Sequence, residues 1–202
     1  MQVAYRHASY ATPLRTVPSA QPGRYHRGDE PEPTQYLCLH PLGPLAELMR
    51  AHDLRSRSQL RALSTRTWAL RLDLDGLLEL TFEDASEHGV DPGDLVADNP
   101  LACRRLAHRL RRDVPGLVVP SAALPGTRNA VLFGARVASP YLVDALGAVD
   151  VPASVTADGA HPLLGLVDRV RFRGRRHAGL EAWRRRARFE FAEPSWALSE
   201  PP

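Results

Sequence analysis

Trp68, Leu70, Leu72 and Leu74 alternate with Arg71, Asp73 and Asp75, a period of two that predicts a strand with one buried face. The shorter runs Tyr36-Leu37-Cys38-Leu39 and Val3-Ala4-Tyr5 read as further strands. The spacing then turns helical. Pro44 suits a first helical position, where its missing N–H goes unused, and a helix over 44–53 would present Leu45, Leu48, Met49 and His52 on one face. Glu47 falls beside that stripe, at the rim of whatever the helix covers. Asn99 is the expected cap of a second helix, with Pro100 at its first position. Leu106, Leu110 and Val114 mark its buried edge, Arg104, Arg105, Arg109, Arg111 and Arg112 face outward, and Gly116 ends it. Leu117-Val118-Val119 and residues 129–133 complete the list of strands. Helices mixed with short strands indicate an α+β (mixed α/β) architecture.

Composition changes the weight of individual residues. The chain has 202 residues and 26 basic side chains, every one an arginine; isoleucine is absent and Asn99 and Asn129 are the sole asparagines. Arginine therefore does routine surface work here, so one arginine is weak evidence for phosphate binding and one asparagine is stronger evidence than usual. The length suits one domain with a tail. Cys38 and Cys103 lie far apart, outside any CxxC or Cys/His cluster, so neither a disulfide framework nor a metal site is expected. With no leader pattern and no apolar run of membrane length, the expected location is cytoplasmic.

Residues 1–35 read as an extended, Pro- and Gly-rich loop after the first strand. Residues 138 to 165 read as a low-charge connector. Nine arginines against Glu181 give residues 169 to 188 a net charge of +8, which leaves −5 for the rest of a chain whose total is +3. That asymmetry admits a basic binding module, with Phe172 and Trp183 interleaved for stacking on nucleic acid. A solvated face is the commoner use of such a run, so direct nucleic-acid binding is the minority expectation; an acidic partner or a homo-oligomer contact would suit the same face.

The common phosphate-binding, metalloprotease and serine-hydrolase signatures are all missing. What remains is a set in order along the chain: Tyr5-Arg6, Gly23-Arg24-Tyr25, Tyr36-Leu37, Glu47, Gly116-Leu117-Val118-Val119-Pro120-Ser121-Ala122 and Asn129. Singly, these are loop arginines, a core-edge tyrosine, a surface acid and a turn serine. Jointly they supply a cation for phosphate, a flat ring and a carboxylate, which is what cleavage of a dinucleotide requires.

This series resembles the RES domain family, over roughly residues 3–137. The family is named for an arginine, a glutamate and a serine, and its members look like distant relatives of ADP-ribosyltransferase toxins that consume NAD. The resemblance implies an ADP-ribosyltransferase-like domain over 1–140, short-stranded sheets flanked by helices, with a connector and basic extension over 141–202 packed on it. It implies that Arg6 and Arg24 hold the dinucleotide, Tyr36 lines the nicotinamide-ribose pocket, Glu47 and Ser121 serve the reacting end, and Asn129 touches substrate. Arg24, Glu47 and Ser121 are then the catalytic set. The implied activity is a toxin's cleavage of the nicotinamide–ribose bond of NAD, foremost with inorganic phosphate as co-substrate and alternatively with water or a protein side chain as acceptor. A cognate helix-turn-helix antitoxin is the implied partner. Pro22 and Tyr25-His26 depart from the family's usual Gly and Trp-Asn, and a proline with fixed φ would reshape the loop that carries Arg24.

Overall fold

A computed structural model describes residues 1–7, 17–61, 64–134, 142–152 and 165–192. Its strands are β1 (Gln2–His7), β2 (Thr34–Cys38), β3 (Ser64–Leu72), β4 (Leu78–Glu79), β5 (Gly116–Pro120), β6 (Arg128–Phe133) and β7 (Leu142–Pro152). Its helices are α1 (Gly43–His52), α2 (Arg57–Arg61), α3 (Leu101–Leu110), α4 (Leu166–Arg169) and α5 (Ala178–Arg184), with a 3-10 turn at Pro92–Leu95. The seven strands form one sheet in the order β4-β5-β6-β2-β1-β3-β7. Every neighbouring pair is antiparallel except β4 with β5. Among the described residues no helix is long and apolar enough to cross a membrane.

Alternation divides the core between the two sheet faces. Leu37, Leu70, Leu72, Ala130 and Leu132 pack on one face with Ala4, while Leu117, Val119, Val131 and Phe133 face Leu106, Leu110 and Leu180 on the other. β3 runs as the pattern predicts, except that it stops at Leu72 and Leu74 packs on the same cluster from beyond the strand. A third cluster joins α1 to the C-terminal segment: Leu45, Ala46 and Met49 against Leu166, Val170 and Phe172. Each such fully buried side chain is worth about 1.5–3 kcal/mol relative to exposure.

Five expectations need correction. The buried face of α1 comprises Leu45, Ala46, Met49 and Arg50, while Leu48 is half-buried and His52 exposed. The cause is the partner layer, since Leu60, Ala123, Leu124 and Phe172 form one cluster with Leu45, Ala46 and Met49, to which Leu48 and His52 do not belong. α3 begins at Leu101, whose N–H donates to Asn99 Oδ1 at 3.1 Å. Gly116 does not end this helix but opens β5, where a Cβ would lie 2.4 Å from the Val131 carbonyl oxygen; its role is close strand approach. Arg104 and Arg111, expected to face outward, turn inward: Arg104 Nε donates to Gly23 O at 2.7 Å and Arg111 Nη2 pairs with buried Glu30 at 2.9 Å. The expected connector contributes β7, which pairs with β3 along its length; residues 135–141 and 153–164 lie outside the described residues.

Candidate active site

Two loops and one helix converge beside β2 and β6. Register brings Cys38 opposite Asn129 and Tyr36 opposite Val131, so alternation points Tyr36 and Asn129 to the same sheet face. The 121–127 turn carries Ser121 off the end of β5, and α1 brings Glu47 down onto both. The resulting cleft of about 510 Å³ is lined by Arg6, Arg24, Tyr36, Glu47 and Asn129, with Val119 and Pro120 from β5, a size suited to a small-molecule ligand.

Glu47 is the junction of the cleft. Its Oε1 accepts from Asn129 Nδ2 at 3.0 Å and from the Ser121 hydroxyl at 3.4 Å. The Ser121 residue is fully buried, and its Oγ also accepts from the Leu124 N–H at 3.1 Å, so one hydroxyl both ties its own turn and meets the carboxylate. Asn129 Oδ1 is buried without a hydrogen-bond partner, an unspent acceptor at the wall of the cleft. The charge of Glu47 adds to burial in raising the Cys38 thiol well above its usual range, which keeps that cysteine protonated.

Tyr36 and Arg24 are held from the loop side. The Tyr36 hydroxyl accepts from the Tyr25 N–H at 2.8 Å and meets His26 Nδ1 at 3.0 Å, while His26 Nε2 lies 2.8 Å from Gln21 O. If Nε2 carries the proton to Gln21, Nδ1 is left to accept from the tyrosine. Burial raises the Tyr36 phenol above its ordinary value, so it stays a neutral donor and acceptor. Gly23 has to be glycine: a Cβ would fall 2.6 Å from the His26 ring and 2.7 Å from the Tyr36 hydroxyl. Arg24 Nη2 donates to Ala97 O at 2.7 Å and Nη1 to Leu95 O at 3.4 Å. Despite Pro22, the loop therefore delivers this guanidinium to the cleft wall, locked on two carbonyls.

Behind Arg24 lies a charge cluster that the sequence did not reveal. Arg50, whose side chain is 8% exposed, and Arg171 converge on Asp98 Oδ1 at 2.7 and 2.8 Å, and the Gly174 N–H donates to Asp98 Oδ2 at 2.7 Å. Burial works to raise the Asp98 carboxyl, yet the Gly174 N–H and the two guanidiniums outweigh it and hold Asp98 below its usual range. His177 is the other surprise. Its Nδ1 accepts from the Leu180 N–H at 3.1 Å, capping α5, and its Nε2 lies 3.0 Å from Ser121 O. Burial lowers its pKa to about 4 against the opposing effect of the Ser121 bond, with Arg171, Arg50 and Arg24 adding to the lowering. His177 touches the Ser121 carbonyl rather than its hydroxyl, so it is no base for that serine. One histidine in an arginine-rich run carries no pattern that could have announced this contact.

Of the two stacking candidates in the basic segment, Phe172 is buried and Trp183 half-buried. Phe172 is 1% exposed inside the α1 cluster, under the guanidiniums of Arg55 and Arg175, and Trp183 packs beside Phe82. Among the described residues no group of His, Cys, Asp and Glu could hold a metal ion.

The sequence pattern of the RES domain family matches residues 3–154. The chain belongs to the RES domain family. It is 32% identical over 117 residues to a probable NAD(+) phosphorylase of Mycobacterium tuberculosis, a stretch covering 57% of this chain and 55% of that protein; the chain thus matches about half the length of this relative. Its fold is similar to that of a chain in the crystal structure of the M. tuberculosis MbcT–MbcA toxin–antitoxin complex, with a TM-score of 0.62 over 76% of this chain and 86% of that one. Identity there is 21%, so that likeness is one of fold. The RES match ends before residues 165–192, although Arg171 and His177 from that segment hydrogen-bond the turn that follows β5, at Ala123 O and Ser121 O.

Proposed function

We propose that this RES-domain protein is a cytoplasmic NAD-degrading toxin that cleaves the nicotinamide–ribose bond with inorganic phosphate as acceptor, giving nicotinamide and ADP-ribose 1''-phosphate. The observation that carries the proposal is the Glu47 carboxylate, oriented by Asn129 and Ser121 in a cleft with Arg24 on its wall. The similarity to a probable NAD(+) phosphorylase supports the substrate.

In this reading the C–N bond to nicotinamide breaks and its electron pair neutralises the pyridinium nitrogen. A phosphate oxygen then forms the new bond to the same ribose carbon. Positive charge builds on the ribose as the bond stretches, and a fixed carboxylate stabilises it as in glycoside cleavage. Glu47 Oε1 is occupied by Asn129 and Ser121, which leaves Oε2 for a ribose hydroxyl. Asn129 Oδ1, short of a donor, suits the carboxamide N–H of nicotinamide. Arg24 and Arg6 supply positive charge for the pyrophosphate, and Tyr36 offers a flat ring at small entropic cost. The toxin–antitoxin complex of similar fold supports an antitoxin as the partner, which we take to carry a helix-turn-helix domain.

The test is incubation of the purified chain with NAD, with and without phosphate, following free nicotinamide. Release that depends on phosphate is the expected result. Release indifferent to phosphate replaces phosphorolysis with hydrolysis or protein ADP-ribosylation, and no release under either condition refutes the activity.

A further inference from the structure

The carbonyl of Ser121 and the hydroxyl of Ser121 are held by different elements. Glu47 takes the hydroxyl, while the carbonyl receives a hydrogen bond from a residue 56 positions away in sequence. The direction of that second bond is fixed by geometry. The Leu180 N–H is a donor only, so His177 Nδ1 must accept, and the proton of the neutral imidazole sits on Nε2 and points at Ser121 O. The ring is 4% exposed and packs edge-on against Phe82 at 5.9 Å between centroids, leaving no room for another tautomer to find partners. A second tether from the same segment reinforces it: the Arg171 N–H donates to Ala123 O at 2.8 Å, inside the same turn.

We infer that His177 is a positioning residue of the cleft, which through its Nε2–H bond to the Ser121 carbonyl fixes the 121–127 turn so that the Ser121 hydroxyl meets Glu47. The inference rests on reading Glu47 and Ser121 as the reacting end. It makes the basic C-terminal segment, beyond the residues matched by the RES family, a working part of the site. His177 itself touches neither hydroxyl nor carboxylate, so it acts only through the turn.

The experiment compares wild type with His177→Phe, which keeps a ring of similar size but loses both hydrogen bonds, and His177→Gln, whose amide N–H restores the donor. Misplacement of a reacting group by about 1 Å costs about 100-fold, so kcat for nicotinamide release is expected to fall by about that factor in His177→Phe, with KM within about threefold, and to recover to within about tenfold of wild type in His177→Gln. Amide exchange at residues 121–127 is read in parallel and should quicken in His177→Phe alone. Wild-type kcat together with wild-type exchange in His177→Phe overturns the inference. If wild type releases no nicotinamide, the NAD reading falls and the exchange comparison still decides the positioning. Should His177→Phe fail to fold, nitrogen NMR of the wild-type imidazole decides instead: a proton on Nε2 upholds the inference, and a proton on Nδ1 overturns it.

Discussion

Among single residues, the sequence was most informative where a residue type was scarce. Asn129 stands out because the chain has so few asparagines, and it donates to Glu47 at 3.0 Å. Arginines, abundant and therefore ambiguous, were harder to rank: Arg24 lies on the cleft wall, but Arg50 and Arg171 are as tightly built in, and nothing in their spacing distinguished them from the exposed ones. Gly23 illustrates a constraint written in space alone, since its neighbours His26 and Tyr36 close on it only after folding. Gly23→Ala should push the Tyr36 hydroxyl out of place and destabilise the fold by about 1–3 kcal/mol, as overpacking does. Its KM for NAD should rise by roughly tenfold, a loss of alignment checked by steady-state kinetics; an unchanged KM would show that Tyr36 does not shape the binding site. His177 makes a pH prediction. Neutral in the fold, with a pKa lowered to about 4 from 6.5, it adds stability that is complete above pH 6.5 and is lost as pH falls toward 4. The loss is about 3 kcal/mol. Urea unfolding at pH 7 and pH 4.5 should show it in wild type and show much less of it in His177→Gln; equal losses in the two proteins would contradict it.

Elements were legible where one face alone is buried. The period of two in β3 and the helical spacing of α3 both announce themselves because their other sides meet solvent, as exposed Arg66, Arg71 and Arg105 record. α1 was harder, because Pro44, Leu45, Ala46, Met49 and Arg50 bury more than half of its circumference, and a stripe that wide does not fix a direction. The layer that decides it is the C-terminal cluster around Phe172, a residue that looked like a stacking candidate from its basic surroundings. Phe172→Ala should therefore cost about 3–5 kcal/mol, or a fall in Tm of roughly 6–20 °C for a chain of this size. Differential scanning calorimetry checks it, and a fall under about 2 °C would mean that Phe172 supports no core. β7 escaped notice for a related reason: its apolar residues are broken by Gly147 and two aspartates, and its strand character comes from the pairing partner β3.

At the scale of the molecule, the charge asymmetry between the arginine-rich segment and the rest of the chain is met in part where Arg171 and Arg50 share Asp98. Sequence order gave no hint of this, because the three residues come from α1, the loop before α3 and the segment before α5. The sheet order is equally non-local: β1 and β2 insert between β6 and β3, and that insertion is what sets Tyr36 beside Asn129 and lets α1 lower Glu47 onto the Ser121 turn. The cleft thus converges on one carboxylate, and its removal is the sharpest test. Nicotinamide release at saturating NAD and phosphate should be measured for wild type and for Glu47→Ala, each with its Tm. A fall in kcat of at least about 100-fold with the fold intact is expected; a Glu47→Ala protein that turns over NAD at the wild-type rate would show that this carboxylate does not serve the reaction.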